Sequence, residues 1–126
     1  MQVKNSVVLV TGANRGLGQA FVNALLEAGA AKIYAAARDA SSITLAGVTP
    51  IQLDVTNAAD IAAAAARCTD VTLLINNAGI GRGSSFLAPG SADAARAELE
   101  TNFFGPLALS QAFAAALKAN GGGAIV

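Results

Sequence analysis

Histidine is absent from this chain of 126 residues, and cysteine occurs only once, at Cys68. Without histidine the chain holds neither the common zinc sites nor a Ser-His-Asp triad, and we predict no metal site. A lone cysteine forms no disulfide within the chain and favours a reducing, cytoplasmic compartment. We therefore interpret Cys68 as a packing residue.

Net charge and long hydrophobic runs are lacking as well. Lysine and arginine together number 8, as do aspartate and glutamate, so no excess of positive charge attracts nucleic acid or a membrane surface. No apolar run is long enough to span a bilayer, and residues 1–5 lead into an apolar strand without room for a signal peptide. The 54% of apolar residues instead indicates one domain over residues 1–126, with helices covering a buried sheet.

The most informative stretch is a strand that breaks into glycines. Val7–Val10 is typical of a buried strand, and the pattern Thr-Gly-x-x-x-Gly-x-Gly follows it. A helix after this turn presents backbone N–H groups and a positive dipole end to a phosphate. We assign Gly12 to the tight turn, Gly16 to close approach of a pyrophosphate, and Gly18 to packing of the helix on the strand. A purely structural turn is the alternative.

Strands and helices alternate along the rest of the chain. Helical spacing places four apolar residues on one face of a first helix that stops at Gly29, namely Leu17, Phe21, Ala24 and Ala28. Four further strands are predicted, over Ala31–Ala37, Pro50–Val55, Val71–Ile75 and Ala124–Val126. The alternation predicts a Rossmann-like, doubly wound parallel α/β sheet, with strand order 3-2-1-4 and a partial fifth strand beside the fourth.

Two more helices are predicted, over Ala58–Arg67 and about Ala92–Ala119. Asn57 is expected to cap the shorter one, with Asp60 completing a capping-box-like arrangement. The longer helix would place five residues near one face, namely Leu99, Phe103, Pro106, Phe113 and Leu117. We expect it to kink at its proline.

Two arginines indicate which dinucleotide the glycine turn serves. Arg38 follows the second strand, where a Rossmann-type site meets the adenosine ribose, and Arg15 lies inside the turn. An arginine fork matches the geometry of a 2′-phosphate, so NADP(H) is favoured over NAD(H), although the acidic Asp39 comes next. Two solvated surface arginines are the alternative.

Polar residues also follow the third and fourth strands. The carboxylate of Asp54 can accept from an adenine amino group, and the amide of Val55 offers a donor beside it. Asn76-Asn77-Ala78-Gly79 ends the fourth strand, where asparagine amides can bridge backbone groups and glycine allows close approach of a ligand. A strand end and a plain Asx turn are the alternatives.

Asn102 lies four positions before Pro106 in the long helix. Because proline has no N–H, the backbone carbonyl of Asn102 loses its helical partner and is available to a water molecule. An asparagine that faces the core beside a kink is the alternative interpretation.

These motifs resemble the cofactor half of the classical short-chain dehydrogenase/reductase family. The resemblance implies that Asp54-Val55 holds the adenine, that the asparagine motif supports the sheet and lines the path to the nicotinamide, and that Asn102 is the catalytic asparagine. Together with the residue chemistry, it implies cofactor contacts from Thr11, Gly12, Asn14, Arg15, Gly16, Leu17, Gly18, Arg38, Asp54, Val55, Asn76, Asn77, Ala78 and Gly79.

In the family, the catalytic Ser and the Tyr-x-x-x-Lys pair come after the position that Val126 occupies here. Tyr34 does not replace that pair, because no lysine stands four residues after it. We therefore expect the NADP(H)-binding portion of an oxidoreductase whose complete form acts on a carbonyl or alcohol, inefficient in hydride transfer by itself. A non-catalytic dinucleotide-binding module and a self-associating fragment are the alternatives. The outer side of the fourth strand and one face of the long helix are expected to lack neighbours, which favours a homo-oligomer.

Overall fold

The computed structural model describes residues 2–126 and contains a five-stranded sheet. Its strands are β1 (Val7–Thr11), β2 (Lys32–Ala37), β3 (Thr49–Gln52), β4 (Leu73–Ile75) and β5 (Ala124–Ile125). They are ordered β3-β2-β1-β4-β5, and each neighbouring pair is parallel. The predicted Rossmann-like α/β architecture is confirmed, including the short fifth strand.

Helices cover both faces of this sheet. The helical elements of the described residues are α1 (Gly16–Glu27), α2 (Ala58–Arg67), α3 (Ser91–Leu99), a π-helical segment (Glu100–Phe104) and α4 (Gly105–Ala119), with a 3-10 turn at Ala40–Ser42. The helices packed on the sheet are α1, α2 and α4, whereas α3 and the π-helical segment bury no residue. Side chains alternate along β1, so Leu9 packs with α2 and α4 while Val8 and Val10 pack with α1. Among residues 2–126, no helix is both long enough and apolar enough to cross a membrane.

Helix α1 turns a different face to the sheet from the predicted one. The four residues expected to pack there are exposed, namely Leu17, Phe21, Ala24 and Ala28. Its buried residues are instead Gly18, Val22 and Leu25. The prediction was wrong by one position because a glycine, rather than a bulky side chain, sets the rotation of this helix.

The cap of α2 differs from a capping box. Asn57 Oδ1 accepts from the amides of Ala59 and Asp60 at 2.9 and 3.2 Å, as predicted. The N–H of Asn57 donates to the Asp54 carbonyl, so the Asp60 carboxylate instead accepts from the Asp54 amide at 2.9 Å. The capping box was therefore wrong, and Asp60 ties the helix to the chain that leaves β3.

The predicted long helix is divided by the π-helical segment. The N–H of Gly105 donates to the carbonyl of Glu100, five residues back, and Pro106 follows. A π turn changes the phase of the helix, so Phe113 and Leu117 are buried as predicted, whereas Leu99 and Phe103 are 52% and 57% exposed. Their predicted common face was therefore wrong.

Two further predictions concern the sheet and its surroundings. The outer side of β4 was expected to lack a neighbour, but Leu73 and Leu74 pair with β5. Cys68 follows α2 and is fully buried in the core, as predicted. Burial raises the pKa of its thiol to about 11, so the thiol stays protonated at neutral pH.

Candidate functional site

The candidate site lies along the carboxyl ends of the parallel strands. The glycine turn follows β1, Arg38 follows β2, Asp54 comes two residues after β3 and Asn76 follows β4. The chain crosses from β1 to β2 on one side and to β4 on the other. Such a reversal of strand order opens a crevice at this edge of the sheet, where ligands of α/β proteins bind.

The glycine turn leaves the start of α1 open. Gly12 and Gly16 have φ angles of 63° and 54°, a left-handed conformation that disfavours other residues. A Cβ atom on Gly18 would overlap the carbonyl oxygen of Gly12 and lie 2.5 Å from Asn77 Nδ2, so this contact admits only glycine. Arg15 occupies the N-cap position without a side-chain cap, and the first turn carries no acidic residue. Its amides therefore lack a side-chain partner, which suits an anion.

Asn77 and Thr11 hold the turn in place. Asn77 Nδ2 donates to the carbonyls of Thr11 and Gly12 at 2.9 and 3.2 Å. The Thr11 hydroxyl oxygen accepts from the amides of Asn77 and Ala78 at 3.0 and 2.9 Å. Because the Thr11 side chain is buried and engaged in these bonds, its part in the site is to shape the turn. Beside it, Leu17 is exposed and Asn14 is half-buried.

Asn76 carries a buried side-chain oxygen without a hydrogen-bond partner in the described residues. The backbone N–H of Asn76 donates to the carbonyl of Val126 at 2.7 Å. A buried unpaired acceptor costs about 1–3 kcal/mol. Asn76 therefore retains the capacity to accept from one further donor, whereas Asn77 has used its side-chain N–H groups.

Arg15 and Arg38 are both exposed at this edge. Neither belongs to either of the ion pairs found in the described part of the chain. The carboxylate of the neighbouring Asp39 is already hydrogen-bonded. Its Oδ1 accepts from the Ser41 hydroxyl at 2.6 Å and from the Ser41 amide at 2.9 Å. These bonds lower the pKa of Asp39. The edge thus presents two free guanidinium groups beside an aspartate that is engaged in the 3-10 turn.

Asp54 offers a carboxylate near the outer end of the edge. Its Oδ1 accepts from the Thr56 hydroxyl and amide at 2.7 and 2.9 Å. These two bonds lower the pKa of Asp54, and the charge of Arg38 lowers it further, so the group is ionised at neutral pH. The side chain of Val55 is buried in the core, which leaves its backbone as the group that can face a ligand.

Asn102 clamps the loop after β4 through its side chain. Its Oδ1 accepts from the amide of Ile80, and its Nδ2 donates to the carbonyl of the same residue, both at 2.8 Å. A Cβ atom on Gly79 would lie 3.3 Å from Asn102 Oδ1, so the clamp approaches the backbone closely. The sequence pattern around Pro106 points to the backbone carbonyl of Asn102, not to its side chain. This clamp is not predictable from local sequence, because Asn102 and Ile80 are 22 positions apart and no local pattern links them.

The arrangement supplies binding groups more than reacting ones. It combines an uncapped helix start, two free arginines, an ionised carboxylate and a clamped loop along one edge of the sheet. Tyr34, the tyrosine of β2, bonds to Asp70 away from this edge. Among residues 2–126, no three His, Cys, Asp or Glu side chains gather where they could hold a metal ion. The geometry therefore fits an extended anionic ligand.

Comparison with known proteins identifies relatives of the whole described fold. The sequence profile of the short chain dehydrogenase family matches residues 6–126. The short-chain dehydrogenase anuI of Penicillium roqueforti (strain FM164) is 36% identical over 132 aligned residues, which cover 94% of this chain and 52% of that protein. The chain thus spans about half the length of this curated relative.

Solved structures give the same result. A short chain dehydrogenase from Burkholderia cenocepacia J2315 in complex with NADP is 48% identical, with a TM-score of 0.93 over 99% of this chain and 53% of the other. A 7α-hydroxysteroid dehydrogenase complexed with NADH and 7-oxo glycochenodeoxycholic acid is 27% identical, with a TM-score of 0.85 over 98% of this chain and 52% of the other. Similar folds therefore carry either dinucleotide.

Proposed function

The chain belongs to the short-chain dehydrogenase family, and from this premise we propose that it is the NADP(H)-binding part of an oxidoreductase. In the complete protein, hydride would pass between the cofactor and a carbonyl or alcohol group. The observation that carries the proposal is the uncapped start of α1 behind the glycine turn, where Gly18 packs on Gly12. The pyrophosphate would bind the free amides there. The adenine would lie near Asp54 and Val55, and the nicotinamide near Asn76–Gly79.

The preference for NADP(H) rests on the charge pattern at the end of β2. Arg38 and Arg15 are free of ion pairs within residues 2–126 and match a 2′-phosphate in charge and geometry. The Asp39 carboxylate accepts two hydrogen bonds from Ser41. This engagement supports a site in which Asp39 neither binds the 2′-hydroxyl nor repels the 2′-phosphate. The NADP complex of the Burkholderia relative supports the same preference.

Asn102 is the residue of this chain that we assign to catalysis. The family resemblance gives its carbonyl the role of holding a relay water, while Ser, Tyr and Lys carry the proton and polarise the carbonyl. We propose that those three residues belong to the rest of a complete protein. We therefore expect the chain of 126 residues to bind the cofactor without turning it over. Its single buried cysteine supports a cytoplasmic location.

The experiment that tests this function is calorimetric titration of the chain with NADPH and, separately, with NADH. We expect saturable binding of both, tighter for NADPH. Equal affinity would remove the arginine argument and leave the dinucleotide site. If the folded chain bound neither cofactor, the proposed function would be wrong. Addition of a ketone to the NADPH complex should produce no loss of absorbance at the nicotinamide band.

Self-association is a second candidate that a specific observation favours. Four large apolar side chains are substantially exposed around the π-helical segment and the start of α4, namely Leu99, Phe103, Phe104 and Leu107. Such surfaces mark contact sites between proteins. Light scattering during size-exclusion chromatography should give a mass above the 12.4 kDa of one chain. A monomer at all concentrations would exclude this candidate and leave cofactor binding untouched.

A further inference from the structure

Gly105 makes an unusually close contact with Val55. A Cβ atom on Gly105 would lie 3.0 Å from Val55 Cγ2 and 3.1 Å from the Val55 carbonyl oxygen. The φ and ψ angles of Gly105 are both −57°, an ordinary helical conformation that any residue adopts. The backbone at this position therefore does not require glycine. The neighbouring Val55 disfavours a larger residue, because it would have to move by a few tenths of an ångström to admit a Cβ atom at the start of α4.

The same stretch of helix also holds the loop after β4. Gly105 closes the π-helical turn through its hydrogen bond to Glu100. Asn102 lies within that turn and grips both backbone groups of Ile80 at 2.8 Å. A shift of the helix away from Val55 is therefore transmitted to Ile80 through only a few residues.

Val55 and Ile80 belong to opposite parts of the cofactor crevice. Val55 comes after β3, the outermost strand, whereas Ile80 comes after β4, and both β2 and β1 lie between these strands. Building on the function proposed above, we propose that Gly105 is a positioning residue that sets the separation between the adenine end and the nicotinamide end of the crevice. It acts through Val55 on one side and through Asn102 and Ile80 on the other.

This role has a specific signature in binding. Intact NADPH occupies both ends at once, so its affinity depends on their separation as well as on each end alone. The fragment 2′,5′-ADP occupies only the adenine end and the phosphate sites beside it. A change in separation should therefore weaken NADPH while leaving the fragment unaffected. Loss of folding or of the adenine site would weaken both ligands together.

The test is calorimetric titration of the wild-type chain and of Gly105→Ala with both ligands. We expect the Kd of NADPH to rise about tenfold and that of 2′,5′-ADP to change less than about twofold in the variant. Val55→Ala removes volume from the other side of the contact. It should also raise the Kd of NADPH relative to that of 2′,5′-ADP, but to a smaller extent. In the double variant the new Cβ atom at position 105 no longer meets Val55 Cγ2 but still lies close to the backbone carbonyl oxygen of position 55, so the NADPH affinity should recover in part from that of Gly105→Ala.

Ala115→Gly is the matched control, because it makes the reverse exchange on an exposed position of α4 and should leave both affinities unchanged. Equal weakening of the two ligands by Gly105→Ala, or unchanged NADPH binding, would overturn the positioning role while the proposed function stands. If circular dichroism shows that Gly105→Ala is unfolded, the test uses Val55→Ala instead. An unchanged ratio of the NADPH Kd to the 2′,5′-ADP Kd in that variant would then overturn the positioning role. If the wild-type chain binds no NADPH, the proposed function itself fails, and this inference fails with it.

Discussion

The polar side chains at the two ends of the sheet differ in whether they have partners within the protein. At the amino end, Lys32, Tyr34 and Asp70 form a closed cluster. Tyr34 donates to Asp70 at 2.8 Å, and Lys32 donates to both of the others, lying 3.0 Å from Asp70 Oδ2. At the carboxyl end, Arg15 and Arg38 remain free of ion pairs within residues 2–126.

The contrast indicates that stability and ligand binding depend on different ends of the sheet. Each polar side chain of the amino cluster has a partner within the described chain, which is the expected state of a structural region. The carboxyl end also keeps the buried oxygen of Asn76 without a donor and the helix α1 without a side-chain cap. Polar groups without hydrogen-bond or charge partners are expected at functional sites, whereas polar groups elsewhere in a protein are paired. Variants at the two ends should therefore affect different measurements.

The largest effect is expected from Gly18→Ala at the carboxyl end. The new Cβ atom would overlap the Gly12 carbonyl, so the turn and α1 must separate. We expect NADPH affinity to fall more than about 100-fold and the free energy of unfolding to fall by roughly 3 kcal/mol. Calorimetry and urea denaturation measure the two. Gly81→Ala is the control, since a Cβ atom there meets nothing within 4 Å, and equal effects of the two variants would contradict the prediction.

Arg38→Ala should lower the affinity for NADPH without changing the stability of the fold. Loss of a charge-assisted hydrogen bond to the 2′-phosphate costs about 1.5–3 kcal/mol, which is about 10–100-fold in NADPH affinity. NADH has no 2′-phosphate, so its affinity should stay unchanged. Arg96→Ala removes an arginine that pairs with Asp93 on α3 and serves as the control in the same titrations. Parallel losses for NADPH and NADH would remove the 2′-phosphate assignment.

Tyr34→Phe should show the reverse pattern at the amino end. It removes a hydroxyl that donates to Asp70 and accepts from Lys32, and we expect the free energy of unfolding to fall by about 1 kcal/mol. The Kd for NADPH should stay within about twofold of wild type, because the cluster lies across the sheet from the crevice. A variant that loses NADPH affinity without losing stability would break the comparison between the two ends.

The smallest effect concerns pH. The hydrogen bond to Tyr34 and that to Asp70 raise the pKa of Lys32 above 10.5, and burial raises the pKa of Tyr34 above 10.0. Groups whose pKa is raised by folding stabilise the fold at lower pH and lose that contribution as pH rises through the folded value. Urea denaturation from pH 8 upwards should therefore show a decline in stability, to which the buried Cys68 thiol also contributes because burial raises its pKa to about 11. Tyr34→Phe should show a shallower decline, and identical curves would exclude the cluster as its source.

Much of the fold is readable from local patterns in the sequence. The apolar runs, the glycine turn and the alternation of helices predicted the strand order, and the bounds of α2 were predicted as Ala58–Arg67. Errors arose where a contact outside the helix itself decides a feature of that helix. The rotation of α1 depends on Gly18 meeting Gly12 and Asn77. The roles of Asp60 and Asn102 depend on backbone groups outside their own helices.

The candidate site was predicted in its composition rather than its connections. Residue types and spacing identified the glycine turn, the two arginines and the asparagine motif. They gave no indication that Thr11 has its hydroxyl fully engaged, or that Asp39 bonds to Ser41. Those facts depend on rotamers and on neighbouring strands, which a linear pattern does not contain. The close approach of Gly105 to Val55 is invisible in sequence for the same reason.

The bond from Asn77 to Thr11 bears on the order of events during folding. It spans 66 positions of the chain, and contacts of such separation form late because a long loop must close first. The turn is bonded to β2 through the Ala13 amide and the Ala36 carbonyl at 2.9 Å, so the unit β1–α1–β2 can assemble before β4 docks. The bonds from Asn77 complete the turn when β4 docks. A nucleotide that requires the finished turn should leave the folding rate unchanged and slow unfolding, so that its presence prolongs the lifetime of the native chain.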